Sequence, residues 1–303
     1  SWNGGKESWQ APTETLGRYS HPKVWSTMWD WLRGHTQTDV LPPQDIPLHV
    51  SRLNSSDQPR RLEAIYTLGA MGPAALAPLL ESLSSVEGQG RIDPPYVQNE
   101  DGSYSVNAVM EAQRRWTEGG YIFQDEAYAL GRLGEVAIDP LRQLLESKDP
   151  WIVINAAFAL GQIGYPAARA IDDLTVLLDS ADHRVVRAIL ESISCIGSNT
   201  EAALPAIKKI LRTDRETWHQ DTDLPYLVGD QIHFNAALAL LSSDLPIMVM
   251  EDFLLELLER PADRNFVQAI ALEVLLRNPS ESSLPKVLKY LQVHCWDDTE
   301  MSY

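Results

Sequence analysis

Basic charge is scarce in this chain. It carries 25 Lys+Arg against 42 Asp+Glu, a net charge of −17 over 303 residues. Nucleic-acid backbones recruit proteins through clustered Lys and Arg, so a nucleic-acid partner is excluded unless a local basic face is hidden in the fold. The densest basic steps, Arg60-Arg61, Arg114-Arg115 and Lys208-Lys209, are pairs only. They read as solvated helix faces. Long apolar runs are also missing. Even Ala236 to Leu241 falls far short of the roughly 18 to 20 residues a membrane-spanning helix requires, so no membrane partner is expected. Cysteine is limited to Cys195 and Cys295, which excludes a disulfide framework. Cys195 sits among Ile193 and Ile196, where a buried, inert thiol is the default expectation.

Catalytic signatures are equally sparse. There is no His-Glu-x-x-His zinc helix, no Cys-x-x-Cys pair, no Gly-x-Ser-x-Gly elbow and no phosphate loop. The nearest approach to a metal motif is His219-Gln220-Asp221, a His-x-Asp step of the facial-triad type. Such triads belong on jelly-roll strands, whereas this one lies between helical patterns, so a surface loop is the expectation. No cofactor and no metal is expected from these residues. The chain starts at Ser1 with nothing resembling a signal peptide, so the expectation is a cytoplasmic protein, and a processed chain or a piece of a longer one.

Repetition is what the sequence does have. Thr67-Leu68-Gly69-Ala70-Met71-Gly72 recurs as Ala129-Leu130-Gly131-Arg132-Leu133-Gly134 and as Ala159-Leu160-Gly161-Gln162-Ile163-Gly164. A degraded copy ends at Ile196-Gly197. The spacings are 62, 30 and 33 residues, one doubled period and two single ones. Each copy closes an apolar helix at its first glycine, turns, and starts a second apolar helix. Pro73 and Pro166 fall near the start of second helices, where a missing N–H costs little. Asp57, Asp149 and Asp182 precede first helices as N-caps. Small residues such as Ala127, Ala129, Ala156, Ala157 and Ala159 allow close helix approach. A helix pair this short cannot bury its apolar stripe alone, so the pairs must stack into one continuous core.

These units resemble the HEAT-repeat family, in particular the short bacterial repeats shared with phycobilin-lyase-like proteins. The unit Asp182-His183-Arg184-Val185-Val186-Arg187-Ala188 is the most typical one. The resemblance implies an all-α, right-handed α-α superhelix (a HEAT/armadillo-like solenoid) with second helices lining its concave face. Six helix pairs are expected. Asn235–Leu241 and Gln268–Leu276 serve as degraded first helices, and Phe253–Leu258 and Leu284–Leu291 as their second helices. Residues 45–292 form the array, and 293–303 a C-terminal tail. Residues 1–44 hold Trp2, Trp9, Trp25, Trp29 and Trp31 and are expected to cap the array or link it to another domain. The stretch Arg18-Tyr19-Ser20-His21-Pro22 through Trp29 is also similar to the segment before the HEAT module of bacterial phytanoyl-CoA-dioxygenase-like proteins. The His-Glu steps of the HEAT-type iron hydroxylase acting on a translation factor's lysine are absent, which disfavours that enzyme.

Two insertions, 84–120 and 215–227, interrupt the period, and insertions in repeat proteins gather on one face, often the binding face. They bring Tyr96, Trp116, Trp218, His219 and Tyr226. Aromatic and arginine side chains concentrate at interaction hot spots, although aromatics also pin loops to a scaffold. Trp151, at a first turn, is of the same kind, and the second-helix face is expected to present Arg142, Glu146, Asp173 and Lys208. The expected function is therefore a non-catalytic scaffold that binds a protein partner through its concave face and inserted loops. The alternative is an accessory or substrate-holding module of an enzyme, lyase-like or dioxygenase-associated. A DNA-binding, alkylpurine-glycosylase-like repeat protein is a third reading, and it requires a basic groove.

Overall fold

The computed structural model describes residues 43–55, 57–85, 124–214, 225–260, 265–277 and 279–294, and all structural statements concern these. They are entirely helical apart from turns, and they belong to one contact unit, 42–92 with 122–303. After α1 (Ile46–Leu53) come six antiparallel pairs. These are α2 (Gln58–Ala70) with α3 (Leu76–Ser85), α4 (Asp125–Leu133) with α5 (Ile138–Leu144), and α6 (Pro150–Ile163) with α7 (Ile171–Val176). Then follow α8 (His183–Ile196) with α9 (Leu204–Arg212), α10 (Pro225–Leu241) with α11 (Ile247–Leu258), and α12 (Asn265–Arg277) with α13 (Leu284–His294). The expected solenoid of six pairs is present. The last helices run longer than their sequence patterns suggested. α10 begins at Pro225, inside the stretch read as the second insertion.

The two glycines of each unit have different tasks, and the helix closure that the sequence pattern assigned to the first belongs to the second. Gly69, Gly131 and Gly161 do not end their helices; α2, α4 and α6 continue through them to Ala70, Leu133 and Ile163. They sit where the next first helix presses closest. A methyl group on Gly131 would stand 2.5 Å from Cβ of Gln162, and one on Gly161 would stand 3.0 Å from Cα of Ser192. Termination falls to the second glycine. Gly134 and Gly164 hold φ of 70° and 72°, a region costly for any residue with a Cβ. The chain then passes through a 3₁₀ turn, Gly134–Ala137 or Tyr165–Ala170, into the second helix. Pro73 and Pro166 lie in these turns rather than in the helices beyond them.

Two of the three expected N-caps form as drawn. Asp149 accepts from the backbone N–H of Trp151 and Asp182 from that of Arg184, each at 2.9 Å. The Asp57 side chain makes no capping bond and instead pairs with Arg60 at 3.2 Å. Between the two helix layers lies an aliphatic core that includes Leu68, Leu79, Leu130, Leu141, Leu160, Leu174, Ile189 and Leu211, each fully buried. α6 is the most enclosed first helix, with every residue from Val153 to Gly161 buried. The excursion between α3 and α4 does not break the stacking. Ser82 donates to the buried Glu126 carboxylate at 2.8 Å, and Arg61 of α2 pairs with Asp125 of α4 at 2.8 Å.

Candidate interaction surface

Successive second helices meet through long side chains rather than through small ones. Arg142 of α5 reaches Asp173 of α7 at 2.5 Å and lies 3.5 Å from Asp139, which also accepts from Arg169 at 3.2 Å. Lys209 of α9 pairs with Asp179, just beyond α7, at 2.8 Å. Arg212 of α9 grips Glu256 of α11 through two bonds of 2.9 and 2.5 Å. The Arg212 hydrogen bonds hold the Glu256 carboxyl below the usual carboxylate range. Lys208 points its ammonium at the Val249 carbonyl and over the Phe253 ring. The end of α9 is further tied down: Arg260 donates to the Leu211 carbonyl at 2.6 Å, and the ring of His233 lies 3.0 Å from the Ile210 carbonyl.

The outer face of the first helices is built differently. Counting three residues back from each repeat's first glycine gives Tyr66, Tyr128 and Phe158, an aromatic column running across α2, α4 and α6. Tyr128 meets Phe158 edge-on at 4.6 Å between ring centres. Arg132 stacks over Tyr66 at 4.0 Å, and Arg184 over Trp151 at 4.9 Å. Phe158 and Asn155 on this face are buried. Asn155 bridges the Trp151 carbonyl and the Gln124 backbone N–H. Burial, followed by the charges of Asp125 and Glu191, pushes the Tyr128 phenol up to about 12. Burial likewise lowers the Arg187 guanidinium to about 10, against the pull of Glu191 one turn on, and it raises the Glu191 carboxyl against the pull of Arg187.

Of the residues singled out from the sequence, Arg142, Glu146, Trp151, Asp173 and Lys208 fall in the described structure. Arg142 lies on the second-helix face as expected, but bound to Asp173 rather than unengaged. Trp151 lies on the opposite, first-helix face, half-buried under Arg184, so the two do not form one surface. Tyr96, Trp116, Trp218 and His219, with the His219-Gln220-Asp221 step, lie outside the described residues, and the side chain of Tyr226 is likewise not described. The Trp-rich opening is outside them too. Cys195 contradicts its expectation. It is exposed, although its Cβ lies 3.5 Å from where a Cβ on Gly161 would stand. The surrounding protein and then Glu191 hold its thiol above the usual range. The aromatic column leaves no mark at the glycines, where the repeat is legible in the sequence. Aligning the repeats three residues upstream displays it. Among the described residues, no group of three or more His, Cys, Asp or Glu is placed to hold a metal ion. No helix among them is long and apolar enough to cross a membrane.

The fold and this two-sided surface define an α-helical repeat solenoid. The family model for HEAT repeats matches residues 138–220, and that for the PBS lyase HEAT-like repeat matches 60–85 and 127–147. The helix pairs within 60–85 and 127–220 thus carry the HEAT-repeat pattern. Among solved structures, the chain is similar to a designed armadillo repeat protein in complex with the peptide (KR)4. That likeness has 17% identity and a TM-score of 0.34, over 82% of this chain and 98% of the other. It is also similar to an engineered protein with 18% identity and a TM-score of 0.39, over 84% of this chain and 75% of the other. A third likeness is to computationally designed armadillo repeat proteins for modular peptide recognition, with 18% identity, TM-score 0.34, and 82% and 98% covered. No curated protein matches the chain. Nothing in these comparisons supports the phytanoyl-CoA-dioxygenase likeness of the opening segment.

Proposed function

We propose that this chain is a HEAT-repeat scaffold that binds a protein partner through the face formed by its second helices and through its inserted segments. The observation that carries the reading is the character of the second-helix face. Its charged side chains are partly exposed and pair at the surface, Arg142 with Asp173 and Asp139, Lys209 with Asp179 and Arg212 with Glu256. Exposed pairs of this type contribute about 0 to 1 kcal/mol each, so they stabilise little and are readily exchanged for a partner's charges. The first-helix face contrasts with this, since its central residues Asn155 and Phe158 are already buried.

The test is affinity capture from the native organism, run with the parent and with an Arg142→Ala/Arg212→Ala variant. Loss of specific partners from the variant is expected. Identical partner sets, with Trp116→Ala and Trp218→Ala variants also unchanged, would remove both the face and the insertions from the reading. The alternative, an accessory or substrate-holding module of an enzyme, has a different signature. Stoichiometric metal or a bound chromophore in the purified protein, read by elemental analysis and absorption spectrum, would favour it over the scaffold.

A further inference from the structure

The second-helix row carries a charge order that a net value of −17 hides. α7 and the turn Leu177–Asp179 that continues it hold Asp172, Asp173 and Asp179 and no Lys or Arg. α9 holds Lys208, Lys209 and Arg212 and no acid. α11 holds Glu251, Asp252 and Glu256 and no base. α13 returns to Lys286 and Lys289 with no acid. The sign thus alternates helix by helix over four neighbours. The alternation is realised in contacts at two of its steps, Lys209 with Asp179 and Arg212 with Glu256. Exposed apolar side chains sit between the charges on the same helices. Val176 is 75% exposed and Leu288 50%, with Val249 beside them in the row.

We infer that the strip across α7, α9 and α11 docks an extended protein segment whose charge alternates in blocks, basic over α7, acidic over α9 and basic over α11. This rests on the scaffold reading and names the partner chemistry for it. The geometry sets the block length. Packed helices stand roughly 8 to 10 Å apart, and an extended chain rises roughly 3.3 Å per residue, so each helix is met by about three residues. A block of the right sign replaces the weak rung at its helix with its own complementary charges. Its intervening uncharged residue lies against Val176 or Val249. A uniformly basic segment, the partner the net charge alone would select, is repelled by Lys208, Lys209 and Arg212 at the centre of the strip.

The experiment uses fluorescent nine-residue peptides and the full chain. The matched peptide is Lys-Lys-Ser-Glu-Glu-Ser-Lys-Lys-Ser. One control has the same composition with the charges scrambled, a second has every sign inverted, and a third has all charged positions lysine. Polarisation at low salt is expected to show the matched peptide binding about tenfold more tightly than each control, with binding abolished near 0.5 M salt, where screening acts within a few ångströms. A Lys208→Glu/Lys209→Glu variant, checked for parental helicity, is expected to shift the preference to the all-lysine peptide. Equal binding of matched and scrambled peptides, or tighter binding of the all-lysine peptide by the parent, overturns the inference, and neither measurement depends on the variant folding. A native partner whose capture ignores Lys208→Glu/Lys209→Glu but is lost with Arg142→Ala/Arg212→Ala overturns this inference and leaves the scaffold reading standing.

Discussion

Replacing Gly131 by alanine sets two well-defined effects against each other. Inside a helix, alanine is favoured over glycine by about 1 kcal/mol, because the glycine backbone loses more freedom on folding. If Gly131 were merely a helix residue, the variant would therefore be more stable than the parent. The structure says otherwise. The new methyl would stand 2.5 Å from Cβ of Gln162, roughly an ångström inside ordinary contact, and that atom is fixed to the α6 backbone. α4 and α6 must separate or the side chains must leave their rotamers, and overpacking of this kind costs about 1 to 3 kcal/mol. The net expectation is destabilisation of about 1 to 2 kcal/mol, read as a lowered urea midpoint by far-ultraviolet circular dichroism. The cause is separable by a double-mutant cycle. Gln162→Ala keeps the offending Cβ and brings no relief, whereas Gln162→Gly removes it. Gly131→Ala should therefore cost less in the Gln162→Gly background. A stabilised Gly131→Ala protein, or one indifferent to the Gln162 background, would refute the account of the first glycine as a close-approach residue.

Other outcomes follow from individual contacts. Asp182→Asn keeps an oxygen that accepts the Arg184 N–H but loses the charge at the helix N-terminus, and should cost about 0.3 to 1 kcal/mol. Burial opposes ionisation of Asp182, but the Arg184 hydrogen bonds prevail and its carboxyl is lowered. Its contribution is accordingly present above the unfolded value of about 3.9 and fades as pH falls through the depressed folded value, where parent and variant should converge in urea unfolding. Tyr128 should ionise near pH 12, seen as a parent-minus-Tyr128→Phe difference at 295 nm; a transition near pH 10 would show that the phenol is not enclosed. Its raised value means that this phenol's share of stability is present below about pH 10 and lost as pH climbs toward 12. Leu160→Ala, at a fully buried position, should cost about 2 to 5 kcal/mol, whereas Arg212→Ala at the surface should cost at most about 1 and still less at high salt.

The sequence by itself determined the repeat. Its period, the aspartate caps at Asp149 and Asp182, and the alternation of helix and turn all follow from local rules, so they are legible residue by residue. Only tertiary structure decided what each glycine is for. Gly131 and Gly134 are chemically identical, and the first is distinguished only by the neighbour across from it, Gln162, thirty-one residues away. The same holds for Cys195, which is apolar by context yet exposed in the folded chain. It holds too for Arg142, whose partner Asp173 sits one repeat along. Charge alternation along α7, α9, α11 and α13 was present in the sequence, but it acquires meaning only once stacking makes those four helices neighbours.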